Sequence, residues 1–368
     1  MKTVIGIIMT MAICLAVGCE KLTQERNESP ETKQSVVPQP TEIKQSVAPS
    51  TVEPVKTVVV PASPVPVLAK PDGQEFVLLK NWTFGNKRPD ATIRNKTDLD
   101  RDFRYRYIWN KGTCDRFDTS WDYHRDYPEG DPKSLHVFDE NSLTLKGRIP
   151  PNGGLRKGGI ESGMLRAKFL MEPGMYIEMR AKLPGGVGVW PNFWLEQGIE
   201  HPGGKVTTHS KVMSEIDIFE FFNWNGRQET RIIVCNTHNW GGKEAHGNPY
   251  DIFTTLKNVG YERNLDLGFD CSKDFHVFAL DWVNDNPIWL VDGKPLKQTH
   301  YVWTEPGAHL VVSDSIGIDF AAKKGDLTQM VADEKKWDFV IDYIRIWKRK
   351  SNDEKEKTII KDVKQKEN

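Results

Sequence analysis

Short stretches in which apolar and polar residues alternate dominate the middle of the chain. Alternation with a period of two residues is typical of strands that bury one face. Seven segments predict strands: Ser142–Lys146, Met175–Leu183, Glu215–Phe222, Thr230–Asn236, His276–Trp282, Ile288–Val291 and Phe339–Trp347. Asp292-Gly293 predicts a turn after the sixth segment, and only Asp326–Lys336 has a pattern that predicts a short helix. Many short strands between Gly, Pro, Asn and Asp loops predict an all-β sandwich.

The two ends of the chain have a different pattern. Lys2 and the short apolar run after it predict a signal peptide over residues 1–18, because about a dozen apolar residues are too few to span a bilayer comfortably. Residues 19–75 hold no aromatic residue and predict a disordered tether rich in Pro, Val and Thr. Residues 350–368 predict a charged disordered tail. Residues 76–349, with all 12 Trp, 9 Tyr and 16 Phe, form one predicted domain.

The predicted signal peptide ends in small residues followed by Cys19. This arrangement resembles the bacterial lipobox, which implies that Cys19 becomes a lipidated first residue. The alternative is an ordinary cleaved signal with an incidental cysteine. The resemblance implies a protein of the bacterial cell envelope, held to the membrane by a lipid anchor and facing the periplasm or the cell surface.

Composition argues against nucleic acid as a partner and leaves the disulfide state of the cysteines undecided. The formal net charge of −1 gives no electrostatic footprint for binding nucleic acid. We also expect the protein to be a monomer. Cys114, Cys235 and Cys271 allow one disulfide with a spare thiol, or three buried thiols. Their spacing does not resemble a zinc site. Tryptophan beyond the needs of packing is common where sugar rings are stacked.

Three acidic residues lie close together in one predicted strand. Glu215 and Asp217 share a face, because alternate side chains of a strand point the same way. Regular alternation would bury Glu220 among apolar side chains, at a large desolvation cost. One extra residue near Ile218-Phe219, a β-bulge, returns Glu220 to the face of the other two acids.

Three neighbouring carboxylates raise one another's pKa and oppose folding, so their concentration indicates a function. Retaining glycoside hydrolysis uses a carboxylate nucleophile and a protonated carboxylic acid, with carboxyl groups about 5–5.5 Å apart. The alternatives to a catalytic role for these three acids are that they form an acidic, solvent-exposed face of the strand or a calcium-binding edge.

The segment from Glu215 to Glu220 resembles the Glu-x-Asp-x-x-Glu signature of glycoside hydrolase family 16. Three further segments are similar to the family's in the same order: Gly163–Leu195 with its Trp-Pro-x-Phe-Trp run, His276–Lys294 with Val-Asp-Gly, and Asp342–Trp347. The resemblance covers most of the domain. It implies a β-jelly-roll sandwich (concanavalin A-like) with a substrate cleft on the concave sheet, and retaining endo-hydrolysis of a polysaccharide that requires no cofactor.

The resemblance also implies residue roles. Glu215 takes the place of the nucleophile, Glu220 that of the acid/base, and Asp217 that of a residue that bonds to Glu215 and tunes Glu220. His238 matches a family histidine beside the acid. Five tryptophans are candidates to stack on sugar rings, of which Trp194 is the most expected in the core: Trp190, Trp194, Trp224, Trp240 and Trp303. Three alternating side chains are further candidates for the groove: Tyr176, Glu178 and Arg180.

The bulged signature is that of laminarinases and algal galactanases rather than of xyloglucan- or lichenase-type members. The polar insertion Glu196–Lys211 is most similar to κ-carrageenases. Asp319 stands where those enzymes have a sulfate-binding arginine, and Arg104 or Arg106 could supply another anion contact. We therefore expect a red-algal galactan, sulfated or not, with β-1,3-glucan as the first alternative. A sugar-binding surface lipoprotein that has lost catalysis is the second.

Asp342 begins the predicted closing strand where many members of the family place a structural calcium ligand. Calcium would need several oxygen ligands there. A structural calcium site at Asp342, on the sheet face away from the cleft, is therefore a further expectation.

Overall fold

The computed structural model describes residues 76–108, 114–115, 122–156, 158–201, 205–207, 213–223, 230–240, 264–283, 285–303, 307–317, 330 and 334–350. The predicted signal peptide, Cys19, the tether and Trp224 lie outside these residues, and so does the predicted charged tail except for Lys350.

Strands make up most of the described residues. In chain order they are β1 (Phe76–Thr83), β2 (Phe103–Arg104), β3 (Cys114–Asp115), β4 (Asp122–Arg125), β5 (His136–Phe138), β6 (Leu143–Leu145), β7 (Gly147–Arg148), β8 (Ile160–Ser162), β9 (Met164–Met171), β10 (Met175–Lys182), β11 (Pro191–Gln197), β12 (Ile199–Glu200), β13 (Val206–Thr207), β14 (Met213–Phe221), β15 (Ile232–Trp240), β16 (Asn264–Asp266), β17 (His276–Val283), β18 (Asn286–Val291), β19 (Lys294–Gln298), β20 (Ala308–Asp314) and β21 (Phe339–Arg349). Helix α1 (Lys96–Asp102) and a 3₁₀ turn (Glu334–Lys336) are described as well. No described helix has the length and apolar run that a membrane crossing requires.

Two large antiparallel sheets pack face to face. The inner sheet has the order β16-β15-β14-β11-β20-β9-β2, and the outer sheet has the order β19-β18-β17-β10-β21-β6-β5 with β1 paired to β21. Their facing side chains form one core, in which Phe219 of the inner sheet lies 4.6 Å from Phe278 of the outer sheet between ring centroids. This is the expected β-jelly-roll sandwich.

All seven predicted strands are present, because each has a run of side chains that alternates between the core and another surface. The turn at Asp292-Gly293 is also confirmed. Both residues have positive φ, 48° and 74°, as two-residue hairpin turns of this kind require.

The predicted helix Asp326–Lys336 is described only in part. Met330 is helical and Glu334–Lys336 form the 3₁₀ turn, whereas the other residues of this range lie outside the described residues. The sequence analysis did not predict α1, which begins after Asn95. The side chain of Asn95 accepts a hydrogen bond of 2.9 Å from the main-chain N–H of Asp98 and so caps the helix.

The described cysteine side chains carry no disulfide. Cys235 and Cys271 are both free and buried, so neither forms the disulfide that the sequence left open. The side chain of Cys114 lies outside the described residues.

Candidate active site

The register of β14 shows that the three acids share one sheet face. On β11 their partners are Glu196 opposite Glu215, Trp194 opposite Asp217 and Asn192 opposite Glu220. These partners are two residues apart, so their side chains point the same way. The register on β15 shifts between Asp217 and Glu220, which is the predicted bulge.

His238 lies beside two of the acids. Its Nε2 atom is 3.2 Å from Oδ2 of Asp217 and 3.9 Å from Oε1 of Glu215. The side-chain amide of Asn236 is 2.9 Å from the same nitrogen. The imidazole therefore lies in the cluster next to Asp217 and Glu215. Glu215, Asp217 and His238 are also close enough together to hold a metal ion, with one ligand atom of each inside 4.8 Å of the others.

The environment of the acids favours protonation. Burial raises the pKa of Glu220, and the neighbouring charge of Asp217 raises it further, whereas His238 lowers it. Burial also raises the pKa of Asp217, while the ammonium group of Lys297 lowers it. Because the negative charge of Asp217 favours the protonated form of Glu220, the two carboxyl groups can together hold one proton at neutral pH. A general acid needs such a proton.

A hydroxyl group that the sequence analysis missed joins the two strands at Glu215. The main-chain N–H of Glu215 donates to the hydroxyl of Tyr301 at 3.1 Å, and that hydroxyl donates to the carbonyl of His238 at 2.5 Å. Tyr301 lies far along the chain and has no motif of its own, so no sequence signal points to it.

A buried chain of hydrogen bonds supports the cleft floor on the other side of the acids. The hydroxyl of Ser313 donates to Oδ1 of Asn192 at 2.6 Å. The hydroxyl of Tyr107 lies 3.4 Å from Ser313 Oγ and 2.9 Å from His124 Nε2. His124 Nδ1 is in turn 2.8 Å from Ser162 Oγ. Asn192 is therefore held in place at the register position next to the acid/base.

The structure brings one of the predicted tryptophans into direct contact with an acid. Trp190 is partly exposed, stacks on Phe222 with centroids 5.1 Å apart, and donates from Nε1 to Oε1 of Glu220 at 3.0 Å. Its main-chain N–H donates to Oδ1 of Asp314 at 3.0 Å. Trp190 therefore lines the cleft and is also a partner of the acid/base.

Two other candidate sugar platforms are buried, which corrects the prediction for Trp303 and agrees with the expectation that Trp194 lies in the core. Trp303 is 8% exposed and packs edge-on against Trp282 in the core, with centroids 5.1 Å apart. Trp194 points to the cleft face but is 6% exposed, because the ring of Tyr107 lies over it at 5.9 Å. The alternation pattern does not show that a segment from far earlier in the chain covers this ring. The side chain of Trp240 lies outside the described residues.

The prediction that Tyr176, Glu178 and Arg180 line the groove was wrong. They lie on β10 of the outer sheet, whose core-facing residues are Ile177 and Met179, so they point away from both the core and the cleft. Alternation identifies a shared face but not which sheet carries it.

The surroundings of Asp342 do not fit a calcium ion. One carboxylate oxygen accepts a hydrogen bond from Arg88, and the other accepts one from Arg180 at 2.5 Å. Two guanidinium groups thus neutralise the carboxylate and would repel a divalent cation. Calcium binding itself stays an untested prediction.

The described part of the polar insertion after β11 contains a hairpin of the two short strands β12 and β13. Glu200 on this hairpin accepts hydrogen bonds from Arg106, at 2.8 Å, and from the buried Arg166. Arg106, a candidate for an anion contact, is therefore paired with a protein carboxylate.

Sequence comparison with known proteins identifies several relatives of this chain. A glucan endo-1,3-beta-glucosidase of Cryptopygus antarcticus is 36% identical over 115 residues, which is 31% of this chain and 35% of that protein. A kappa-carrageenase of Pseudoalteromonas carrageenovora is 25% identical over 199 residues, or 52% of this chain and 47% of that protein. The chain thus spans between a third and a half of the length of these relatives.

A solved kappa-carrageenase structure from Zobellia galactanivorans has a TM-score of 0.53 at 16% identity, and the match covers 76% of this chain and 98% of that one. At this identity the likeness shows the fold. A sequence model described as Glycosyl hydrolases family 16 matches residues 119–316, which is more than half of the 368 residues. The chain therefore belongs to glycosyl hydrolase family 16.

Proposed function

We propose that this protein is a retaining, endo-acting glycoside hydrolase that cleaves internal β-glycosidic bonds of a polysaccharide. The observation that carries the proposal is the bulge in β14. It places Glu215, Asp217 and Glu220 on one face of the cleft, and burial raises the pKa of Glu220, as a general acid requires.

In this mechanism the carboxylate of Glu215 attacks the anomeric carbon while Glu220 gives its proton to the leaving oxygen. The products of this step are a free sugar end and a glycosyl ester of Glu215. The Glu220 carboxylate then takes a proton from water, the oxygen of which attacks the anomeric carbon and releases Glu215. Asp217 assists because its charge raises the pKa of Glu220.

The substrate we propose is a red-algal galactan, sulfated or not. Support comes from the similarity to a kappa-carrageenase over 52% of the chain and from the β12–β13 hairpin in the described part of the polar insertion after β11. The alternative is a β-1,3-glucan, favoured by the 36% identity to a glucan endo-1,3-beta-glucosidase over a shorter stretch. Cleavage would take place in the cell envelope if Cys19 carries the lipid anchor that the sequence predicts.

The proposal is tested by release of reducing ends from κ-carrageenan, agarose and laminarin, with the wild type and Glu215→Ala compared at equal concentration. We expect the wild type to act on one of the galactans and the variant to be inactive. Activity on laminarin alone would replace the galactan with the alternative substrate. Binding without cleavage of all three would favour a sugar-binding protein.

A further inference from the structure

The core-facing side of the bulge in β14 contacts the outer sheet. Because the register shifts between Asp217 and Glu220, Ile218 and Phe219 together face Cys235 on β15. A bulge disrupts the regular ladder of hydrogen bonds at this place. Buried carbonyl groups near it need other donors, since an unpaired buried carbonyl is costly.

Three side-chain donors are present at these carbonyls. The indole Nε1 of Trp289 donates to the carbonyl of Asp217 at 2.8 Å. The ammonium group of Lys297 donates to the carbonyl of Cys235 at 2.6 Å. The thiol of Cys235 lies 3.5 Å from the carbonyl of Ile218 as a weak donor, and burial raises the pKa of this thiol, so that it keeps its proton.

Two of the three donors come from one hairpin. Trp289 on β18 and Lys297 on β19 are direct cross-strand partners. The hairpin register shifts beside them, so that β19 has one extra residue, Leu296. The ammonium group of Lys297 lies 5.2 Å from the centre of the Trp289 ring. A bulge in the outer sheet thus presents two donors to the bulge in the inner sheet.

We propose that Trp289 and Lys297 are positioning residues, which hold the bulge of β14 in the shape that keeps Glu220 beside Glu215 and Asp217. This inference rests on the proposed glycosidase function of these acids. Each of the two positioning residues acts through a main-chain carbonyl of the two strands that carry the acids and His238.

The position of Lys297 adds an electrostatic effect. Its charge lowers the pKa of Asp217, which burial raises. Loss of the ammonium group would raise the pKa of Asp217 further, so that this residue would carry its negative charge over a narrower pH range. A purely structural role of Lys297 would not have this consequence.

The first test compares Trp289→Phe with Trp282→Phe. Both tryptophans are buried in the same core, at 1% and 0% exposure, but the indole Nε1 of Trp282 has no hydrogen-bond partner. The two variants lose the same ring area, and only the first loses a bond to the bulge. We expect kcat to fall about 10- to 100-fold in Trp289→Phe, with KM changed less, and to stay near wild type in Trp282→Phe. Equal kcat values in the two variants would overturn the inference.

The second test uses Lys297, which is partly exposed and therefore tolerates replacement better than a buried tryptophan. Lys297→Met keeps the aliphatic stem and removes the donor, whereas Lys297→Arg keeps a donor and the charge. We expect the pKa of Asp217, followed by carboxyl ¹³C NMR, to rise in Lys297→Met and to return toward the wild-type value in Lys297→Arg. No difference between the two variants would contradict the role of Lys297.

These readouts separate the inference from the proposed function. If the wild type cleaves none of the polysaccharides, the proposed function fails, and the titration of Asp217 still decides whether Lys297 acts on the cluster. If the wild type is active and both pairs of variants behave alike, only the positioning role fails.

Discussion

The indole N–H of Trp190 donates a hydrogen bond of 3.0 Å to Oε1 of Glu220. A donor to a carboxylate favours its charged form, so this bond lowers the pKa of Glu220, whereas burial raises it. The working protonation state of the acid/base therefore depends on a ring that the sequence suggests only as a surface for sugar.

The replacement Trp190→Phe removes this donor and keeps an aromatic ring. The pKa of Glu220 then rises, and the acid stays protonated to higher pH. We expect the alkaline limb of kcat/KM against pH to move to higher pH. Trp303→Phe is the matched control, because the Nε1 of Trp303 has no hydrogen-bond partner and its ring lies in the core. An unmoved limb in Trp190→Phe would contradict the role of this bond.

The replacement Glu215→Ala removes the nucleophile, and no glycosyl ester can form. We expect turnover of the polysaccharide to be lost and to return in part when azide is added, since a small anion can attack from the vacated side. The product would be a glycosyl azide, detected by mass spectrometry. Rescue of Glu220→Ala by azide at the same bond, with none for Glu215→Ala, would mean that the two roles are reversed.

The replacement Glu220→Ala removes the proton donor. We expect kcat on the natural polysaccharide to fall about 10²- to 10⁴-fold, because its leaving group needs protonation. Aryl glycosides with a good leaving group need little acid assistance, so a burst of released phenol should persist. A loss of the burst as complete as in Glu215→Ala would argue against the acid role.

The raised pKa of Glu220 also predicts a dependence of stability on pH. Since the folded protein binds this proton more tightly than the unfolded chain does, the resulting stabilisation is present at acidic pH and is lost as pH rises through the raised pKa. Glu220→Gln stays neutral at every pH. We therefore expect its melting temperature to exceed that of the wild type at alkaline pH and to show no such advantage at acidic pH. Circular dichroism melts across the pH range would show a constant difference if Glu220 had an ordinary pKa.

Chelation tests the surroundings of Asp342. Because Arg88 and Arg180 already occupy both carboxylate oxygens, we expect an excess of EDTA to leave the melting temperature unchanged. Added calcium should likewise have no effect. A fall on chelation that calcium reverses would show that the ion displaces the arginines.

The sequence predicted the parts of this fold that follow from local pattern. The strand β14 and its bulge could be inferred because an acid at Glu220 would otherwise enter the core. The helix α1 was missed because its signal is only one capping residue, Asn95, before a run of fewer than ten residues. The hairpin at Asp292-Gly293 was predicted because few residue pairs adopt two consecutive positive φ angles.

The residues that support the site could not be predicted in the same way. Tyr301 bonds to Glu215 and His238, and Trp289 bonds to Asp217, yet each is more than 60 positions from its partners along the chain. Such contacts depend on how two sheets stack, and a pattern within one strand contains no information about that stacking. For the same reason, the sequence could not show that Trp303, which was expected at the cleft, lies in the core.

Strand β21 has a consequence for how this protein can be shortened. It pairs with β10, β6 and β1 within the outer sheet, although it lies beyond the segment 119–316 that similarity identifies. A truncation at those limits would remove a central strand and leave β10 with an open edge facing solvent, which invites aggregation. The cooperative folding unit therefore extends at least from β1 to β21, and a soluble fragment for crystallisation should keep both.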